Sequence, residues 1–128
     1  MRVQEQVEAH YRSDVVDKVR RTGGIISVGG VTVRLAKQFG FCYGVERAID
    51  LAYAARKVFK DRRLFIVGEI IHNPEVNEQI SSLGIKNLTG PNKQADLADL
   101  QPDDVVILPA FGTEVSILQQ IKDRGCQI

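Results

Sequence analysis

Val3, Val7, Tyr11, Val15 and Val19 recur every four residues through a largely polar stretch, a spacing that keeps one side of a helix apolar. The pattern predicts helical structure over residues 3 to 21. Ser13 can cap a second helical piece from Asp14, and Gly23-Gly24 ends it. The period then changes. "IISV" and "VTVRLA" are β-rich runs separated by Gly29-Gly30, which reads as a hairpin.

From Val31 onward, short apolar runs alternate with amphipathic segments. A strand over 31–36 leads into a helix over 43–59, where Val45, Ala48, Ile49, Ala52, Ala55 and Phe59 share one face. "LFIVGEII" predicts a strand over 64–71. It is followed by a helix over 74–83 that Asn73 can cap, Pro74 can open and Gly84 can end. "TGPNKQADLADLQPDD" reads as a loop with one short helix. "VVILP" predicts a strand over 105–109, leading into a helix over 113–124 capped by Thr113 and ended by Gly125. "CQI" begins a further apolar run.

Strands apolar on both faces, alternating with amphipathic helices, imply an α/β fold with a mostly parallel sheet covered by helices. An N-terminal helical extension and a short hairpin precede it. Residues 1–30 are expected to form the extension and the start of the hairpin, and residues 31–128 the α/β domain. A domain rarely closes two residues into a strand, so the sequence is expected to be the first unit of a longer multi-domain protein.

Composition narrows the functional classes. The chain has 128 residues, 44% hydrophobic and 26% charged, which is ordinary for a globular domain. A net charge of +1, with no basic run interleaved with aromatics, leaves no footprint for nucleic acid. No apolar stretch approaches about 18 residues, so no membrane-spanning helix is expected. "MRVQEQVEAHYRSD" mixes acids with bases and is not a secretory signal. Cys42 and Cys126 make no disulfide framework, which points to a reducing, cytoplasmic setting.

In open parallel sheets, ligands bind in the loops outside the carboxyl ends of the strands. The candidate loops are "KQFGFCYG", "HNPE" and "PAFGT", carrying Cys42, His72 with Asn73, and Phe111 with Gly112. Cys42 stands at the mouth of a helix, where the dipole and free N–H groups favour a thiolate, both a nucleophile and a metal ligand. Gly40 and Gly44 allow backbone to approach something bulky. The same pattern equally fits a small buried cysteine in a glycine turn. His72 fits a hydrogen-bond or proton donor to an anionic ligand, and equally an exposed or capping histidine. His10 and the basic run "RKVFKDRR" read as solvated, and Cys126 as core. Glu69, inside an apolar run, is either paired near the strand end or turned to solvent.

"FGFCYGVERAIDLA", "GEIIHNPEVNEQISSLGI" and "DVVILPAFGTEV", in this order, resemble the N-terminal part of the LytB-type iron–sulfur reductases of 4-hydroxy-3-methylbut-2-enyl diphosphate. The resemblance runs over residues 31–128. It implies three α/β units around one [4Fe–4S] cluster, held by three cysteines with one iron left for the substrate's hydroxyl oxygen. The implied reaction is the last step of the non-mevalonate isoprenoid route. Two electrons and protons remove the C4 hydroxyl as water, giving isopentenyl and dimethylallyl diphosphates. By this resemblance Cys42 is a metal ligand, and His72, Asn73 and Gly112 bind the allylic diphosphate. A ferredoxin- or flavodoxin-type protein supplies the electrons. Many members carry His in an "AHG" run where this chain has Phe111 in "PAFG", a form similar to the plant and cyanobacterial branch. The other cluster cysteines and the catalytic glutamate are expected in C-terminal domains beyond Ile128. No catalytic residue is then expected within the chain, and alone it should be inactive. Two rivals remain: a non-enzymatic anion- or nucleotide-binding α/β module, and a self-associating structural fragment.

Overall fold

A computed structural model describes residues 3–128, and their contacts divide the chain into two compact units, Met1–Cys42 and Tyr43–Ile128. In the first unit, α1 (Val3–Tyr11) and α2 (Asp14–Arg21) precede an antiparallel hairpin of β1 (Ile25–Val28) and β2 (Val31–Arg34). Ser13 caps α2 by accepting the Val16 N–H at 3.4 Å. Asp14 and Asp17 in the first turn, and Lys18, Arg20 and Arg21 in the last, suit the helix dipole. The hairpin closes through Gly29-Gly30, with Val28 opposite Val31.

One expectation is corrected here. The run from Val31 forms no strand of the parallel sheet, because β2 pairs with β1 and every residue in it is exposed. Its ladder is used up on β1, and Val31 and Val33 remain exposed instead of being covered as strands of a parallel sheet are.

The second unit holds α3 (Tyr43–Val58), β3 (Leu64–Ile66), α4 (Pro74–Ser82), β4 (Ile85–Asn87), β5 (Val105–Ile107) and α5 (Val115–Asp123), with a 3₁₀ turn at Leu97–Asp99. Its strands run parallel in the order β4-β3-β5. "CQI" adds to the edge of this sheet: Gln127 bridges Val105 in parallel, and the Val106 N–H donates to the Gln127 carbonyl at 2.8 Å. Every residue of β3 and β5 is buried. Side chains alternate across a strand, and Phe65, Val67 and Val106 join Leu88, Leu100 and Ile121 in one apolar cluster. Ile49 and Ala52 of α3 and Val76 and Ile80 of α4 are buried as well. A fully buried valine or isoleucine contributes about 1.5–3 kcal/mol, so the sheet and its helices hold most of the stabilising area.

Three elements differ from the pattern reading. β3 ends at Ile66 instead of residue 71, because Gly68 turns the chain at φ +76. A side chain there would be strained by that backbone angle alone, since an added Cβ would meet the Thr89 hydroxyl only at an ordinary contact distance of 3.5 Å. β4 lies in "IKN", which no alternating run announces; Leu64 opposite Ile85 draws it into the sheet. α5 begins at Val115, two residues later than expected, with Glu114 and not Thr113 at the cap position. Residues 109–112 are spent on a turn closed by the Gly112 N–H on the Pro109 carbonyl at 3.0 Å.

Nor is the basic run a solvated helix end. Arg56 donates to the carbonyls of Leu83 (2.7 Å), Gly84 (3.0 Å), Arg62 (3.1 Å) and Phe59 (3.4 Å), tying the end of α3 to the end of α4. Arg63 grips buried Asp104 through both carboxylate oxygens, at 2.7 and 2.6 Å.

Candidate functional site

The carboxyl edge of the parallel sheet is built from the loops that follow β3, β4 and β5. After β3, the turn at Gly68 brings Glu69 out of the sheet with its side chain still largely covered. One oxygen, Oε2, lies 3.0 Å from Nδ1 of His72, and the other, Oε1, accepts from the Asn92 side chain at 2.9 Å. The His72 side chain is 86% exposed. From the loop after β5, Phe111 stacks on its ring, with centroids 5.9 Å apart and planes 7° from parallel. The loops after β3 and β5 therefore meet at the imidazole, and the loop after β4 holds its carboxylate partner.

Next to His72, Asn73 opens α4. Its Oδ1 accepts the Val76 N–H at 3.2 Å, and Pro74 occupies the first turn, where its missing N–H costs nothing. Asn77 anchors the same loop by donating to the Ile71 carbonyl at 2.9 Å. The side-chain oxygen of Asn73 is thus committed to the helix. Gly112 lines an open cleft of about 530 Å³ together with Phe111, Val67, Ile117, Thr89, Thr113 and Glu114. That volume falls within the range of small-molecule sites, roughly 300–1,000 Å³. Because the Gly112 N–H already serves Pro109, this residue offers the cleft space and not a donor. Its φ of +84 is one that side-chain-bearing residues rarely adopt.

The two cysteines are placed differently. Cys42 is the last residue of the first unit, exposed and unpaired, immediately before α3. Gly44 lies in the first turn of α3, and a methyl group added there would meet nothing within 4 Å. Glycine is a poor helix former, by about 1 kcal/mol relative to alanine in a helix interior, and no contact among the described residues calls for it here. Cys126 packs against the core cluster and donates to the Gln101 carbonyl at 3.3 Å. Burial pushes its thiol up, with the charge of Asp104 adding to the effect. It is partly buried at the margin of the core, less enclosed than the core position the sequence suggests. Among the described residues, no three His, Cys, Asp or Glu side chains gather as a metal site.

Glu69 is resolved as paired. Asn92 and the Phe111 stack were not legible beforehand. Asn92 follows β4, and with that strand unrecognised its loop does not count as part of the edge. A clue was available in "TGPN", a turn sequence just after the apolar Ile85 and Leu88. Among the described residues, no helix is long and apolar enough to cross a membrane.

A sequence profile described as LytB protein matches residues 33–128. The 4-hydroxy-3-methylbut-2-enyl diphosphate reductases of Thermosynechococcus vestitus and Microcystis aeruginosa are 44% and 42% identical to the chain. Each match covers 98% of this chain and 31% of the relative, so the chain spans about a third of the length of these curated proteins. Among solved structures, a reductase of (E)-4-hydroxy-3-methyl-but-2-enyl diphosphate, described as the terminal enzyme of the non-mevalonate pathway, superposes with a TM-score of 0.54 at 26% identity. That superposition covers 72% of this chain and 30% of the other. The E-1-hydroxy-2-methyl-but-2-enyl-4-diphosphate reductase of Plasmodium falciparum superposes with a TM-score of 0.59 at 26% identity, over 70% of this chain and 26% of that one. With three quarters of its length inside the matching profile and the same fold in two reductase structures, the chain belongs to the LytB protein family.

Proposed function

We propose that the chain supplies diphosphate-recognition loops and one thiolate to an enzyme that reductively dehydroxylates 4-hydroxy-3-methylbut-2-enyl diphosphate to isopentenyl and dimethylallyl diphosphates. The observation that carries this reading is the exposed His72 ring, held at the carboxyl edge of the parallel sheet inside the family-matching stretch. An imidazole with one nitrogen engaged by a carboxylate offers its other nitrogen to a phosphate oxygen. Space beside Gly112 and the hydroxyls of Thr89 and Thr113 suit the rest of a small polar ligand. The carboxylate of Glu69, which would otherwise repel a diphosphate, is already engaged by His72 and Asn92.

Cys42, free and exposed, fits one thiolate position of a [4Fe–4S] cluster and not a ligand set. The remaining thiolates and the proton-donating acid belong, in this reading, to further domains of the same protein. That assignment is supported by relatives about three times as long. The electron donor is of ferredoxin or flavodoxin type. Two unpaired thiols suit a reducing cytoplasm.

Titration of the ¹⁵N-labelled chain with inorganic pyrophosphate and with the allylic diphosphate tests the recognition step. Backbone amide signals of residues 69–73 and 110–114 should move together in both titrations. Shifts confined to other surfaces, or none at millimolar ligand, would refute the assignment of these loops.

A further inference from the structure

We infer that Glu69, Asn92 and Phe111 are positioning residues for His72, fixing the ring so that its Nε2 edge alone faces an incoming phosphate group. This rests on the diphosphate reading of the site and deepens it, from the Glu69 contact alone to the full set of restraints on the ring. A carboxylate can only accept, so the 3.0 Å contact with Glu69 places a proton on Nδ1 of His72. The carboxylate is held in turn: Asn92 donates to its other oxygen at 2.9 Å, and only 18% of the Glu69 side chain is exposed. Glu69 therefore cannot follow the ring if the ring turns.

Phe111 supplies the second restraint. The terminal torsion of histidine is soft and roughly two-fold, and a side chain 86% exposed has little else to stop it rotating. Stacking at 5.9 Å with planes 7° apart defines the plane of the ring, while the Glu69 contact defines which edge turns inward. The Nδ1–H bond to Glu69 is available to both the neutral ring and the imidazolium. Nε2 is thus the single ring nitrogen that exchanges a proton or a hydrogen bond with a ligand. A ring fixed before binding also loses less rotamer freedom when the ligand arrives. The Phe111 stack can be removed without touching the Glu69 contact, whereas Asn92 acts on the ring only through Glu69.

The chain contains two histidines, and His10, exposed on α1, serves as an internal reference. Long-range ¹H–¹⁵N correlation of the histidine-labelled chain, at a pH where both rings are neutral, reads the tautomers directly. His72 should be predominantly the Nδ1–H form and His10 predominantly the Nε2–H form preferred by a free side chain. Glu69→Ala should return His72 to the pattern of His10. Glu69→Gln, which keeps the shape but can donate or accept, should give a mixture. Asn92→Ala should loosen the preference, and Phe111→Leu should leave the tautomer while abolishing the upfield ring-current shift of the His72 ring protons. Unchanged Ile49 and Ile121 methyl signals in each variant establish that it is folded. A His72 spectrum like that of His10 in the unaltered chain, or one unmoved by Glu69→Ala, overturns the inference. Adding inorganic pyrophosphate separates the two ideas. A locked tautomer whose Nε2 signal ignores pyrophosphate upholds the positioning role and defeats the diphosphate reading.

Discussion

Replacing Arg56 with alanine should destabilise the second unit far more than loss of a surface charge would. The guanidinium donates to four backbone carbonyls, two of them, Leu83 and Gly84, just beyond α4 and the other two, Phe59 and Arg62, beyond α3. Hydrogen bonds to charged groups contribute about 1.5–3 kcal/mol each when well buried. Four of them cannot simply be summed, because water can reach Gly84 and the Phe59 contact is long at 3.4 Å. Counting mainly the bonds to Leu83 and Arg62, and discounting for partial exposure, the expected loss is about 2–3 kcal/mol. Lysine offers a point charge without the planar fork, so Arg56→Lys should recover less than half of that loss. The chain has no tryptophan, so urea unfolding is best followed by far-ultraviolet circular dichroism. The midpoint should fall by about 1–2 M for Arg56→Ala, given slopes of roughly 1–3 kcal/mol per M for small proteins. A loss within about 0.5 kcal/mol, the range of ordinary surface substitutions, would show that the carbonyls are as well served by water. The two helix ends would then not be joined by this side chain.

The two thiols should separate by reactivity. Exposed Cys42 is expected to be alkylated first, while Cys126, whose thiol is pushed up by burial and then by Asp104, needs more alkaline solution than a free cysteine; equal rates at neutral pH would contradict this. The same upward shift means that neutral Cys126 stabilises the fold below the ordinary thiol range, and that this contribution is lost as pH rises through its higher native value. Anaerobic reconstitution of the chain with iron and sulfide, then desalting, should leave far less than one cluster per chain and no reductase turnover, since one exposed thiolate cannot hold a cube. About four irons per chain with turnover would refute it. In a protein extended to the length of the relatives, His72→Ala should weaken diphosphate binding by roughly 10- to 100-fold and leave the iron–sulfur absorbance intact. Loss of absorbance with unchanged affinity would reverse the role.

Periodicity alone determined much of this protein. The two helical pieces between Val3 and Arg21, the helix carrying Val45 through Ala55 and the Asn73–Pro74 helix start appear where the pattern puts them, although Val15 of the four-residue series is exposed and Phe59 falls just past its helix. These are local facts: a cap, a proline or an apolar stripe acts within a turn or two of itself. The hairpin is local too, because Gly29-Gly30 brings adjacent runs together. Strand membership was different. β4 is three residues with a lysine in the middle, and it became a strand because β3 lay beside it with open backbone groups. β2 reads as more strand-like, yet it pairs only within its hairpin. The basic run shows the same limit. Charge suggests solvent, but the carbonyls that Arg56 serves come from 27 and 28 residues away as well as from nearby. For the site, sequence named His72, Asn73 and Gly112 but not their arrangement. Glu69, Asn92 and Phe111 lie in three different loops, and the chain of contacts from Asn92 through Glu69 to His72 and Phe111 depends on strand order, which no residue encodes by itself. Side-chain chemistry is legible along the chain, whereas the partner of each group is chosen by whichever backbone the fold brings within 3 Å.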